Sequence, residues 1–249
     1  MKTIAGTLLI IIFTIQAFAQ GKNIDIPVNQ RGDTTFLYKW NQDLAKELGL
    51  ANVANSQSDF YFRMWYHGQV LSHVIDIRST NDSTYKAMMT LYTKEFIDNT
   101  KKEPTERIYS KKVELNSVVG ARAHELIVSQ KINSIPSEDL ISGWSRGLDG
   151  DTYTIEFADK NKYSFKSYWT PTVQDSLKEA IRLIGFIKDL NRIVEMEQRL
   201  SAFPSEIPFE CYNTGGPATA CKVLPRKQHQ KLKKERENYR QQLNHANRH

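Results

Sequence analysis

Gly143-Trp144-Ser145-Arg146-Gly147 is the stretch most like a catalytic motif. G-x-S-x-G can mount a nucleophilic serine on a sharp turn, with a strand before it and a helix after it. Neither neighbour fits. Ser137-Glu138-Asp139-Leu140, which has N-cap character, precedes it, and a strand pattern follows it. A triad of this order also needs a His downstream, and every His after Ser145 lies in a basic tail. The stretch reads as a glycine-rich turn. A secreted serine hydrolase using Ser145 remains as an alternative function.

Metal chemistry fares no better. His124-Glu125 begins like a zinc-protease helix, but Val128 stands where the second His belongs. Asp149-Gly150-Asp151 opens like a calcium loop, yet the further acidic ligands are missing and a strand begins at Thr152. His67 and His73 fall on opposite faces of one hairpin, and His73 reads as a core histidine. No phosphate-cradling glycine loop is present. The sequence implies no cofactor and no metal.

The strongest remaining candidate is aromatic. Tyr61, Arg63 and Trp65 alternate along one strand and share a face. Aromatic rings beside a cation can hold sugars or other ring-bearing ligands. The competing reading is packing beneath a helix that carries Phe36, Leu37 and Trp40.

These residues need elements to position them. Residues 152–158 and 163–169 alternate with period two, the mark of strands. Placing Phe157 opposite Tyr163 and Ile155 opposite Phe165 gathers both apolar sets on one face. That register predicts a three-residue loop, Asp159-Lys160-Asn161, and sets Glu156 diagonally from Lys166. A second hairpin spans 60–77. With His67-Gly68 as a two-residue turn, Met64 faces Leu71, Phe62 faces His73 and Phe60 faces Ile75. Residues 85–96 and 107–115 read as further strands, giving an antiparallel meander. Residues 34–48 space apolar side chains at three and four, as an amphipathic helix does. Residues 117–132 are ambiguous, with Gly120 as a weak point in a helix.

Thr170-Pro171 then reads as a helix N-cap and first position. From there apolar residues run to Phe203-Pro204 with only a narrow polar stripe. A single long helix with so wide an apolar girth is expected to be buried on most of its circumference.

The ends carry targeting and charge. Lys2, the apolar run 4–15 and Ala17-Phe18-Ala19 form a signal-peptide pattern with cleavage after Ala19. The run is too short for a standard membrane span, and none is expected in the mature chain. Cys211 and Cys221, the two cysteines, are expected to form a disulfide in an exported protein. Residues 225–249 hold eight Lys or Arg against two Glu, which equals the +6 of the whole chain. The basic character is therefore a property of the tail, read as solvated and partly helical or disordered. Arg226, Lys227, Lys231, Lys233, Lys234, Arg236 and Arg240 could draw it to an anionic surface. Export argues against nucleic acid as that surface.

The sequence thus predicts an α+β protein with an antiparallel sheet of about six strands. A long, mostly buried helix, about 171–202, packs across one face, joined by a shorter N-terminal helix. Its parts are a signal peptide (1–19), a segment with an amphipathic helix (20–58), an α+β core (59–203), a disulfide-closed loop (204–224) and the basic tail (225–249). The expected function is non-enzymatic binding in the cell envelope or outside it, periplasmic or extracellular. A structural or assembly role through the aromatic hairpin is a further alternative.

Overall fold

The computed structural model describes residues 22–28, 32, 34–68, 71–80, 84–96, 107–215 and 218–246. The proposed signal peptide lies outside them. Strands β1 (Asn23–Asp25), β2 (Tyr61–His67), β3 (His73–Ser79), β4 (Tyr85–Lys94), β5 (Ile108–Leu115), β6 (Thr152–Ala158) and β7 (Lys162–Trp169) form one sheet, in the order β1-β7-β6-β2-β3-β4-β5. Its class is α+β, as expected. The sheet has seven strands and is mixed, because β1 pairs with β7 in parallel. Three residues in a polar leader gave no alternation from which β1 could be read.

Both faces of the sheet are covered. Helix α1 (Phe36–Glu47) lies on one, packing Leu44 and Ala45 against Trp65, Val74 and Tyr92. Helices α2 (Ser117–Ser129), α3 (Lys178–Ile193) and α4 (Met196–Glu206) lie on the other, against Phe62, Met64, Ile75, Ile77 and Met89. Asn116 caps α2 by accepting from the Val119 N–H. Gly120 is a close approach, not a weak point: a Cβ there would collide with the Tyr85 backbone on β4.

The predicted single helix 171–202 is two helices after a 3-10 turn, Pro171–Val173. Thr170 stands at the N-cap of that short turn, with Pro171 first in it, but it is left-handed (φ 37°), its side chain caps nothing, and its N–H donates to the Asp151 carbonyl. A left-handed Glu195 (φ 54°) separates α3 from α4. That break explains the wide girth. Leu183, Phe186, Ile187 and Leu190 make an ordinary buried stripe on α3, Met196 and Phe203 make another on α4, and Ile181 is exposed. Read as one helix, two stripes blur into a broad one.

Both predicted hairpin registers shift. In β2–β3, Phe62 pairs with Ile77, Met64 with Ile75 and Tyr66 with His73, a slip of four residues that keeps every face assignment and places His67 in the strand instead of in a two-residue turn. The predicted register set Arg63 opposite Ser72; the observed one sets it opposite Asp76. In β6–β7, Phe157 pairs with Ser164 and Ile155 with Lys166. This single-residue slip sends Tyr163 and Phe165 to the α1 face. Two covered faces can each take aromatic residues, which removes the premise of the three-residue loop. β6 ends at Ala158 and β7 begins at Lys162, so residues 159–161 still connect them. In the shifted register the Asp159 N–H donates to the Lys162 carbonyl, and the Asp159 carboxylate accepts from the N–H groups of Asn161 and Lys162. Glu156 and Lys166 consequently lie on opposite faces and do not pair.

Two more strands, β8 (Cys211–Gly215) and β9 (Ala218–Cys221), form a hairpin joined by the Cys211–Cys221 disulfide. Cys211 and Cys221 are direct cross-strand partners. Tyr212 bridges to Glu95, which ties this hairpin to the end of β4. Finally, α5 (Arg226–Ala246) makes the basic tail helical over 21 residues. No helix among the described residues is long and apolar enough to cross a membrane.

Candidate functional site

Tyr61, Arg63 and Trp65 do share a face, and α1 covers it. They are 4, 1 and 0 % exposed. Tyr61 borders a pocket with Asp76 and Arg78, while Arg63 and Trp65 are closed off beneath the cover. Their polar atoms are engaged inside. Arg63 stands between Asp76 on β3 and Glu156 on β6, its direct partners across the sheet. Arg63 Nε donates to Asp76 Oδ1 at 2.6 Å and Nη2 to Oδ2 at 3.2 Å. Glu156 Oε1 accepts from Trp65 Nε1 at 2.8 Å, and Oε2 accepts from the Tyr163 hydroxyl at 2.8 Å. Burial acts to lower the Arg63 pKa, but Asp76 and Glu156 outweigh it and hold the guanidinium charged. Burial and the neighbouring Asp76 push the Tyr61 hydroxyl up to about 12.

The next outward position on β2 is His67, and there the covering ends. His67 Nε2 bonds Asn41 Oδ1 at 2.8 Å, and the Asn41 amide donates to Thr154 Oγ1. The Tyr92 hydroxyl lies 3.0 Å from His67 Nδ1. With Nε2–H donating to Asn41, Nδ1 accepts from Tyr92. Ser72 reaches the Tyr92 hydroxyl in turn. Rings hold the imidazole on both sides: Trp40 at 4.5 Å and Trp65 stacked at 5.7 Å. Burial, assisted by His73, lowers the His67 pKa to about 3. Burial also raises the Tyr92 hydroxyl well above its usual value. The pair is therefore neutral at physiological pH.

This wall borders a recess of about 300 Å³ between α1, the ends of β2 and β4, and the β8 strand. Trp40, His67, Ser72 and Tyr92 line one part; Gly68, Gly150, Asn213 and Gly215 line another. Thr93 donates to the Asn213 carbonyl at 2.5 Å and fixes the hairpin wall against β4. None of these lining residues was singled out as a ligand contact from sequence. The usable signal was the alternation itself, since His67 continues the 61-63-65 face. Trp40, Tyr92 and Asn213 come from separate elements, and only the fold joins them.

The other sequence candidates resolve plainly. Ser145 is exposed on an irregular segment, and its N–H and C=O bond the Gln174 side chain. Arg146 pairs with Glu138. Asp151 accepts from the Tyr66 hydroxyl. His124 stacks on Tyr85 at 3.8 Å. His73 is buried, stacks on Tyr66 and bonds the Leu71 carbonyl. Among the described residues, no group of three or more His, Cys, Asp or Glu is placed to hold a metal ion.

Helix α5 has two unlike faces. Arg236 donates to Glu95 at 3.1 Å, beside a two-point Arg107–Glu95 pair, and His229 lies 2.6 Å from Glu210. The Arg107 guanidinium sits over the Tyr239 ring. Half-buried Arg236 and Arg240 thus turn toward the body. Lys227, Lys231 and Lys234, spaced four and three apart, form the opposite exposed stripe. Lys231 makes one loose, exposed contact with Glu235 at 3.9 Å. Arg226 and Lys233 are exposed beside the stripe.

No family model matches the chain, and no curated protein matches it.

Proposed function

We propose that this chain is a non-enzymatic binding protein of the cell envelope or the extracellular space, which associates with an anionic surface through α5. One observation carries the reading. Arg236 and His229 tie one side of α5 to Glu95 and Glu210, while Lys227, Lys231 and Lys234 line the other side. Docking holds these cations at a fixed place on the body instead of on a free tail. The stripe holds no large apolar side chain, so attraction is electrostatic and fades as salt shortens the Debye length to about 3 Å at 1 M. The signal-peptide pattern and the disulfide support an oxidising compartment.

The test is sedimentation of the mature chain with vesicles of neutral lipid, with and without anionic phospholipid, and with an acidic polysaccharide. Lys227→Gln/Lys231→Gln/Lys234→Gln keeps the docking residues and removes the stripe. Its binding to the anionic probe should fall at least tenfold at low salt. Equal binding by this variant, or wild-type binding indifferent to salt, overturns the reading.

A further inference from the structure

We propose that the recess beside His67 binds one uncharged pyranose ring, either a free sugar or the end of a glycan. Small-molecule pockets span about 300–1,000 Å³, and this one, at about 300 Å³, suits a single ring. Its lining fits the two kinds of surface a sugar presents. Trp40 offers the flat apolar indole on which the C–H face of a pyranose packs. Ser72 and Tyr92 bring hydroxyls to its edge, where ring hydroxyls can meet them. At Gly68 a Cβ would run into the Asp151 carboxylate and the Tyr66 ring, so only glycine fits this part of the lining.

The recess is uncharged where it matters. No carboxylate is among the described lining residues, so a cation finds no counter-charge. Lys94, the one ionised side chain among them, is already engaged with another group. His67 has both nitrogens committed, to Asn41 and Tyr92. It orients the wall and has no free nitrogen for proton transfer.

The wall is also rigid before any ligand arrives. Ser72, Tyr92, His67, Asn41 and Thr154 form one hydrogen-bonded chain, and the His67 ring stacks on Trp65 and meets Trp40 at a tilt. The disulfide-joined hairpin fixes the far side through Asn213. Pre-organisation of this kind lowers the ordering cost of binding.

The experiment titrates the mature chain with glucose, galactose and N-acetylglucosamine, each also as a short neutral oligosaccharide, following the indole N–H signals by NMR. At least one sugar should shift the Trp40 signal in a saturable way, equally at pH 6 and pH 8. A short oligosaccharide binding at least tenfold tighter than its monosaccharide assigns a glycan end; equal affinities assign the free sugar. Trp40→Ala should weaken binding at least tenfold. Ser72→Ala, a smaller change, should weaken it several-fold with the melting temperature unchanged. No saturable shift with any sugar, saturation by indole or phenol instead, or full affinity in both variants overturns the proposal. The Lys227/Lys231/Lys234 variant should bind the sugar normally, so this inference and the anionic-surface reading fail separately.

Discussion

The two faces of the sheet are equally buried and built in opposite ways. Beneath α2, α3 and α4 the interior is Phe62, Met64, Ile75, Ile77 and Met89, all fully buried and apolar. Beneath α1 it includes Arg63 and Glu156, at 1 and 0 % exposed. Burial therefore does not separate these residues; hydrogen bonding does. Each buried charge meets a partner across the strands, without which desolvation would cost several kcal/mol (about that order) per ion. The comparison also bears on register. Sliding β3 by two residues on β2 leaves an apolar face apolar. The same slide would separate Arg63 from Asp76. The polar face selects what the apolar face tolerates.

The largest way to break that contrast is Arg63→Met. It leaves Asp76 and Glu156 buried without their cation, and we expect a loss of about 3–5 kcal/mol in urea unfolding. Replacing all three residues by apolar ones should recover only part of that loss, because the carboxylates leave with the arginine but the buried Trp65 N–H and Tyr163 hydroxyl lose their acceptor. If it also leaves hydrogen–deuterium exchange of β2 and β3 unchanged, the ion pairs do not select the register.

A second, smaller effect probes one histidine on each face. His67 and His73 are held near about 3 and about 4, both by burial, against the ordinary 6.5. The unfolded chain takes up protons below 6.5 and the native one does not. Stability present above 6.5 is therefore lost as pH falls toward 4, by up to about 1.4 kcal/mol per histidine for each pH unit. Urea midpoints at pH 7, 6 and 5 measure it. His67→Gln and His73→Gln should each flatten the curve in part; a flat wild-type curve would show that neither ring is held neutral.

The smallest expected effect is Phe186→Leu on the apolar face. It keeps most of the volume and needs no partner, so it should cost less than about 1.5 kcal/mol by thermal melting. A loss as large as that of Arg63→Met would mean the apolar face is as specific as the polar one.

Much of the scaffold was legible in the residues. Alternation placed β2, β4, β5, β6 and β7 within a residue or two, and the three-four spacing placed α1. The candidate site was legible only in part. The 61-63-65 face was visible, but nothing in its pattern says whether a helix covers it. Covering depends on where residues 36–47 pack, a contact far away in sequence. The recess was illegible for the same reason, since Trp40, His67, Tyr92 and Asn213 belong to four elements.

The sequence by itself determined the α+β class, the disulfide partners and the side-chain parity of most strands. It did so because period-two and period-3.6 patterns are local and two cysteines allow one internal pairing. Only the tertiary structure decided the registers, the break at Glu195, the inward turn of Arg236 and Arg240, and the end of α1 cover at His67. Each of these depends on partners distant in the chain: Asp76 and Glu156 across the sheet, Glu95 beneath α5, and Trp40 over His67.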